Sequence, residues 1–241
     1  MSEWCNFVRV MKYKHIFFDL DHTLWDFETN SYQTLQELYY HHNLSSRGVP
    51  TFEAFYNSYV VHNETLWDRF RKGFISRNDL RYKRFRATLL DFKIGDEKLS
   101  DALSDQFLQI LPGKTALFPY TVEVLEYLKE KQYPLHMITN GFEETQLLKM
   151  RNTGIDRYFT HIITSEVAGS LKPYREIFDY AIGKAATTAA DSIMIGDALD
   201  LDIAGAYNVG MDQVYFNPAV PATTLQPTYT ISCLSELKTI L

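Results

Sequence analysis

Cysteine is almost missing from this chain: Cys5 and Cys233 are the only two among 241 residues, near opposite ends and with no C-x-x-C spacing. A disulfide framework and a cysteine zinc site are both set aside, and the cytoplasm, a reducing compartment, is the expected setting. Long apolar runs are missing too. No segment approaches 18 consecutive apolar residues, and Glu3 and Arg9 interrupt the N-terminus where a signal peptide would carry its apolar stretch, so no membrane partner is expected. The third absence is an excess of positive charge. With 24 Lys and Arg against 30 Asp and Glu, the formal net charge is −6, the wrong sign for displacing counterions from a nucleic-acid polymer. Repeats and low-complexity tracts are absent as well, and 46% hydrophobic with 22% charged residues suits a globular chain with a substantial core. Residues 1–10 have no clear period and read as a tail, or as the product of a start upstream of Met11.

What is present is organised around Ile16-Phe17-Phe18-Asp19-Leu20-Asp21. Three apolar residues form a strand of the kind buried on both faces, and it runs straight into two carboxylates. Burying unpaired carboxylates is costly, so Asp19 and Asp21 belong at the strand's C-terminal mouth, within reach of a cation and solvent. A calcium loop of the EF-hand type also begins D-x-D, but it needs Gly at its sixth position and Glu at its twelfth. Leu24 and Asn30 stand there instead.

From Trp25 to Pro112 the pattern is helical. Thr51 is placed to cap a segment in which Phe52, Phe55, Tyr59, Asn63, Leu66 and Phe70 follow i, i+3, i+4 spacing, and Ser76-x-x-Asp79 has the form of a capping box. Four amphipathic helices are counted, enough to close a small bundle. After Pro119 strand and helix alternate, with strands at 135–138, 161–164, 192–195, 213–216 and 229–231. This alternation predicts an α/β, doubly wound, mainly parallel sheet. The expected domains are residues 1–24 with 113–241 as an α/β core, and 25–112 as an inserted helical cap, since a simple crossover needs only a few tens of residues. Pro218, Pro221 and Pro227 mark a loop before the last strand.

In a parallel sheet all strand ends of one sense face one crevice. Those ends carry Asp19 and Asp21, then Thr139-Asn140-Gly141, then Lys172-Pro173, then Gly196-Asp197 with Asp200 and Asp202. Asp19 is suited to attack phosphorus, and Asp21 to serve as acid for the leaving group and then as base for water. Asp19 and Asp197 are suited to Mg²⁺, a hard ion that prefers oxygen ligands. Thr139 and its turn amides are placed to bond phosphoryl oxygens. Lys172 reads as an exposed strand-end lysine that offsets phosphate charge while contributing little to stability. Arg81, Lys83, Arg84 and Arg86, with Arg69, Arg71 and Lys72, read as a solvated face that also has the sign to steer an anionic substrate.

Taken in order, Asp19-Leu20-Asp21-His22-Thr23, Ile138-Thr139-Asn140, Lys172-Pro173 and Gly196-Asp197-Ala198-Leu199-Asp200-Leu201-Asp202 resemble the four motifs of the haloacid dehalogenase-like phosphatase superfamily. The resemblance covers residues 14 to about 216 and implies a Rossmann-like core with a helical cap. It implies Asp19 as nucleophile, Asp21 as acid and base, and Thr139, Asn140 and Lys172 on the phosphoryl group. Metal would be held by Asp19, Asp197 and the Asp21 carbonyl, supported from behind by Thr23 and Asp202. Ala198 departs from the family, where Ser, Thr or Asn usually follows Gly-Asp. Trp25-Asp26-Phe27-Glu28 and Ser165-Glu166-Val167-Ala168-Gly169 look like the pyrimidine 5'-nucleotidase subgroup. The implied partner is a small phosphorylated metabolite; oligomeric state is not written in these patterns. Rival readings are a phosphoglycolate or sugar phosphatase, a phosphomutase, a haloacid dehalogenase, which needs no metal and no acid at position 21, and a phospho-receiver, which lacks the D-x-D pair.

Overall fold

The computed structural model describes residues 12–216 and 225–241; the N-terminal tail with Cys5, and Pro218 and Pro221 of the expected loop, lie outside the described residues. Strand β1 (His15–Phe18) opens the described chain, and Ile16, Phe17 and Phe18 have no exposed surface. Four helices follow: α1 (Phe27–His41), α2 (Phe52–Arg71), α3 (Arg77–Asp91) and α4 (Glu97–Ile110). Each starts on a side-chain cap that satisfies a free backbone N–H. Asp26, Thr51 and Asp96 accept from the third residue on, and Ser76 with Asp79 closes the expected capping box. Then come α5 (Thr121–Glu130), β2 (Leu135–Thr139), α6 (Glu143–Thr153), β3 (Phe159–Thr164), α7 (Ser165–Ala168), α8 (Arg175–Lys184), β4 (Ser192–Gly196), α9 (Ala204–Asn208), β5 (Asp212–Phe216), β6 (Tyr229–Ile231) and α10 (Leu237–Ile240).

Contacts divide the chain into two compact units. One contains the segment ending at Trp25, Leu117–Glu143 and the segment from Gly154 on; the other contains Asp26–Ala116 with Glu144–Thr153. In the first unit six strands form one sheet in the order β3-β2-β1-β4-β5-β6, and every pairing is parallel. The expected parallel α/β sheet is therefore present, flanked by helices. Strands in such a sheet are covered on both faces: Phe17, Ile138, Ile163 and Met194 pack with Ile177 and Phe178 of α8 and Ala206 of α9, while Ile16, Met137, Ile193 and Ile195 are equally inaccessible. The strand order reverses direction between β1 and β4, and a crevice opens beyond the carboxyl ends at such a switch point.

In the second unit, Tyr59 of α2, Phe85 of α3 and Phe107 of α4 meet with ring centroids 5.0–5.5 Å apart. Residues 144–153 of α6 group with these helices: Asn152 donates to the Pro112 carbonyl and Lys149 lies over the Phe27 ring. Among the described residues no helix is long and apolar enough to cross a membrane.

The helix expected over 201–208 divides into a π-helical turn, Leu199–Ile203, and the short α9. The Ala198 carbonyl accepts from the amides of Leu201, Asp202 and Ile203 together. Such a widened turn changes where its side chains point, and π turns recur at functional sites.

Candidate active site

The site is built where β1 and β4 end side by side. Phe18 pairs with Ile195, the Asp19 amide donates to the Ile195 carbonyl, and Asp19 and Asp197 leave the sheet together. The chain after Asp19 folds back at once, because the Leu20 carbonyl accepts from Thr23, Leu24 and Trp25. His22 takes a positive φ of 64° at this turn and is exposed, while Asp21 is half-buried. Thr23 returns from the turn to donate its hydroxyl to Asp197 Oδ1 at 3.2 Å.

Lys172 is where the structure corrects the sequence reading. It is buried, with 3% of its side chain exposed, not an exposed strand-end residue. Its ammonium donates to Asp19 Oδ1 at 2.5 Å and to the Ile138 carbonyl at 2.9 Å. It also pairs with Asp202 Oδ1 at 2.7 Å without hydrogen-bond alignment, so that oxygen has no properly directed donor. The physical reason is Asn140. Its side chain accepts from the Lys172 amide at 2.7 Å and donates to the Lys172 carbonyl at 3.0 Å. This two-point clamp turns the lysine inward beneath the strand ends. The Lys172–Pro173 peptide bond is cis. Thr139, at the end of β2, is buried and accepts from the Gly141 amide at 3.1 Å.

Asp202, expected as a supporting residue, lies against the strand ends. Its Oδ2 accepts from the Ala198 amide at 3.0 Å, and its carboxylate lies against Gly196, where a methyl group would overlap it. Glycine at the end of β4 is thus required by the Asp202 carboxylate, a constraint that the local sequence does not express. Asp200 is exposed and outside the cluster.

Asp19, Asp197 and Asp202 each offer a carboxylate oxygen, and these oxygens all lie within 4.8 Å of one another. Burial first, then Asp202, raises the Asp19 pKa to about 7 against the opposing pull of Lys172. Burial, then Asp202 and Asp19, raises Asp197 to about 8, opposed by Lys172 and the Thr23 hydroxyl. Burial works against the Lys172 charge, but Asp19 and Asp202 outweigh it and hold its pKa above the ordinary lysine value. Three carboxylates around one cation leave a net negative charge in a poorly solvated place. The donor set consists only of hard oxygens, and one of them, Asp202 Oδ1, has no aligned donor. These features suit a small divalent cation with an oxygen preference.

The sequence-expected residues Asp19, Thr23, Asp197, Asp202, Lys172 and Asn140 are joined in this one hydrogen-bonded and ionic cluster, with Thr139 at the end of the neighbouring strand. The arrangement offers a buried carboxylate, Asp19, with its charge offset by the Lys172 ammonium.

The haloacid dehalogenase-like hydrolase family profile matches residues 13–210. The pyrimidine 5'-nucleotidase PynA of Streptococcus pneumoniae is 32% identical over 231 residues, covering 94% of each chain. The pyrimidine 5'-nucleotidase YjjG of Escherichia coli is 30% identical over 237 residues, covering 96% of this chain and 99% of its own. Among solved structures, the HAD-hydrolase YfnB of Bacillus subtilis, bound to magnesium, superposes with a TM-score of 0.86 at 28% identity, covering 95% of this chain and 98% of its own.

Proposed function

This chain belongs to the haloacid dehalogenase-like hydrolases, and we propose that it is a Mg²⁺-dependent phosphatase of nucleoside 5'-monophosphates, with pyrimidine nucleotides preferred. The observation that carries the phosphatase reading is the Asp19–Lys172 pair set among Asp197 and Asp202; the nucleotide preference rests on the two pyrimidine nucleotidases it resembles over nearly its whole length. Residues 25–112 are the inserted helical domain of this reading, and they fall almost wholly within the helical unit.

Asp19 attacks phosphorus, and the bond from phosphorus to the leaving oxygen breaks as Asp21 hands that oxygen a proton. An acyl phosphate on Asp19 results. Water then attacks the phosphorus, Asp21 takes its proton, and the Asp19–phosphorus bond breaks to release inorganic phosphate and restore the carboxylate. Lys172 pulls against the burial that raises the Asp19 pKa and offsets charge on the phosphoryl oxygens during attack, while the Thr139 turn supplies further donors. Asn140 acts through Lys172, fixing the backbone that carries the ammonium. Asp19, Asp197 and the Asp21 carbonyl would hold Mg²⁺, supported by Thr23 and Asp202, and the ion would supply positive charge to both the carboxylates and the phosphate.

A phosphate-release screen over dUMP, dTMP, phosphoglycolate and sugar phosphates, with Mg²⁺ and then with excess EDTA, tests the reading. The expected result is a kcat/KM for dUMP or dTMP well above that for phosphoglycolate, and no release in EDTA. A reversed ranking would move the protein to another phosphatase subgroup, and full activity in EDTA would remove the metal.

A further inference from the structure

The stretch Ser165-Glu166-Val167-Ala168-Gly169, singled out in the sequence, has no part in the chemistry set out above. It forms α7 and the residue after it. Thr139 and Thr164 are paired at the ends of β2 and β3, so the two strands stop level and the turn 140–143 runs beside α7. The Thr164 hydroxyl starts α7 by accepting from the Val167 amide at 3.3 Å. Two side chains of α7 then tie it to the turn. The Ser165 hydroxyl, on a residue 8% exposed, donates to the Asn140 carbonyl at 3.2 Å. The Glu166 carboxylate, on the exposed side, accepts from the Glu143 amide at 2.7 Å, where α6 begins. A carboxylate is favourable there, because the first amides of a helix have no partner within it.

The same segment returns to Asn140 from the other side. Gly169 takes a φ of 67°, which turns the chain out of α7, and three residues later comes Lys172, whose amide and carbonyl bond the Asn140 side chain. Asn140 is therefore gripped twice by residues 165–172, on its carbonyl by Ser165 and on its side-chain amide by Lys172. This ring of three hydrogen bonds leaves the Lys172 backbone little freedom, and the ammonium is delivered to Asp19 at 2.5 Å and to the Ile138 carbonyl at 2.9 Å. Asn140 is half-buried, so water could satisfy its carbonyl if that were all the turn required. What water could not do is fix the direction of the clamp, and a small displacement of a group at the reacting centre costs far more in rate than in stability.

We propose that Ser165 and Glu166 are positioning residues for phosphoryl transfer, fixing the 140–143 turn at its two ends and, through Asn140, the place of the Lys172 ammonium. This inference rests on the phosphatase reading and adds two residues to it. They act through the turn and not on the substrate. Ser165 is the stronger of the two, since it holds the residue that carries the clamp, while Glu166 holds the far end of the turn.

The test is Ser165→Ala, Ser165→Thr and Glu166→Ala in the full-length protein, each alone and in an Asn140→Ala background, assayed for phosphate release from p-nitrophenyl phosphate with Mg²⁺. Ser165→Ala should lower kcat by about 10-fold, the kinetic equivalent of one hydrogen bond. KM should change by less than about 2-fold, and the melting temperature should stay within a few degrees. Ser165→Thr keeps the hydroxyl and should retain most of the rate. Glu166→Ala, at an exposed position, should lose about 3-fold. In the Asn140→Ala background the losses from Ser165→Ala and Glu166→Ala should shrink to less than about 2-fold, because the clamp they steady is already gone. A merely structural role would give no such coupling. Losses undiminished in that background, Ser165→Thr no better than Ser165→Ala, or unchanged rates in both alanine variants would overturn the proposal. If the Ser165 variants do not fold, Glu166→Ala decides: a loss that vanishes with Asn140→Ala supports the proposal, and an unchanged rate overturns it. Where the unaltered protein releases no phosphate from any ester, the phosphatase reading falls and takes the inference with it.

Discussion

Lys172 in the α/β unit and Arg84 in the helical unit are both buried cations, and they are held in opposite ways. Lys172 in the α/β unit contacts two carboxylates and a backbone carbonyl within 2.9 Å, so its ammonium is set among three oxygens. Arg84 in the helical unit has one amide oxygen and three aromatic faces. The first cation belongs to a closed network in which each charge makes the others tolerable, and removing a member leaves the rest uncompensated. The second is tolerated by its surroundings without being needed by them. Burial by itself therefore says little about purpose; the partners do.

The largest effect is expected from breaking the closed network at its reacting atom. Asp19→Asn removes the carboxylate proposed to attack phosphorus while keeping the shape of the side chain. Lys172 retains Asp202 as a charged partner. Phosphate release should fall by at least about 10⁴-fold, and no phosphoryl group should appear on the peptide containing residue 19 in acid-quenched protein. Residual turnover near the unaltered rate would mean that water attacks phosphorus directly.

Next in size is Lys172→Met. An exposed lysine would be expendable to the fold, but this one separates Asp19 from Asp202. Removing one partner of a buried ionic group costs about 3–5 kcal/mol, so the melting temperature in EDTA should drop by roughly 6–20 °C, alongside loss of activity. Mg²⁺ should restore part of that drop by taking over the neutralisation of the carboxylates. A melting temperature within a degree or two of the unaltered protein would show that the network is not closed by Lys172.

The burial of Lys172 also marks the limit of what could be read beforehand. The sheet was legible because strand and helix periods are local, and Asp19, Thr139 and Asp197 were legible because each stands at the end of a recognisable apolar run. Lys172-Pro173 has no such context. Its environment is made by Asp19, 153 positions away, and by the Asn140 clamp from another strand, and neither pairing leaves a local trace. The π-helical turn that brings Asp202 inward is hidden for the same reason, since its cause is one carbonyl, that of Ala198, shared by three amides. Arg84 was harder still, lying in a run of basic residues that mostly do face solvent. A signal existed: Leu80, Arg84 and Thr88 are spaced by four along α3, and all three are buried with Phe85 and Leu89. A charged residue on an apolar stripe is the pattern to look for.

The smallest effect concerns Arg84 itself and separates tolerance from need by a double-mutant cycle with Asn63, read by denaturant or thermal unfolding. Arg84→Met exchanges an uncompensated charge for an apolar chain of similar length between the same rings. Its stability should change by less than about 1 kcal/mol, in either direction. Asn63→Leu is a different matter, because it removes the one acceptor that the guanidinium has among the described residues. That change should destabilise by about 1–3 kcal/mol. In the Arg84→Met background the same Asn63→Leu substitution orphans nothing charged, and leucine there adds apolar contact beside Tyr59. The double variant should then be more stable than the sum of the single changes predicts, by about 1–2 kcal/mol. Strict additivity, or an Arg84→Met loss as large as that of Lys172→Met, would mean that the helical unit depends on this charge as much as the α/β unit depends on its lysine, and the contrast between the two buried cations would fall.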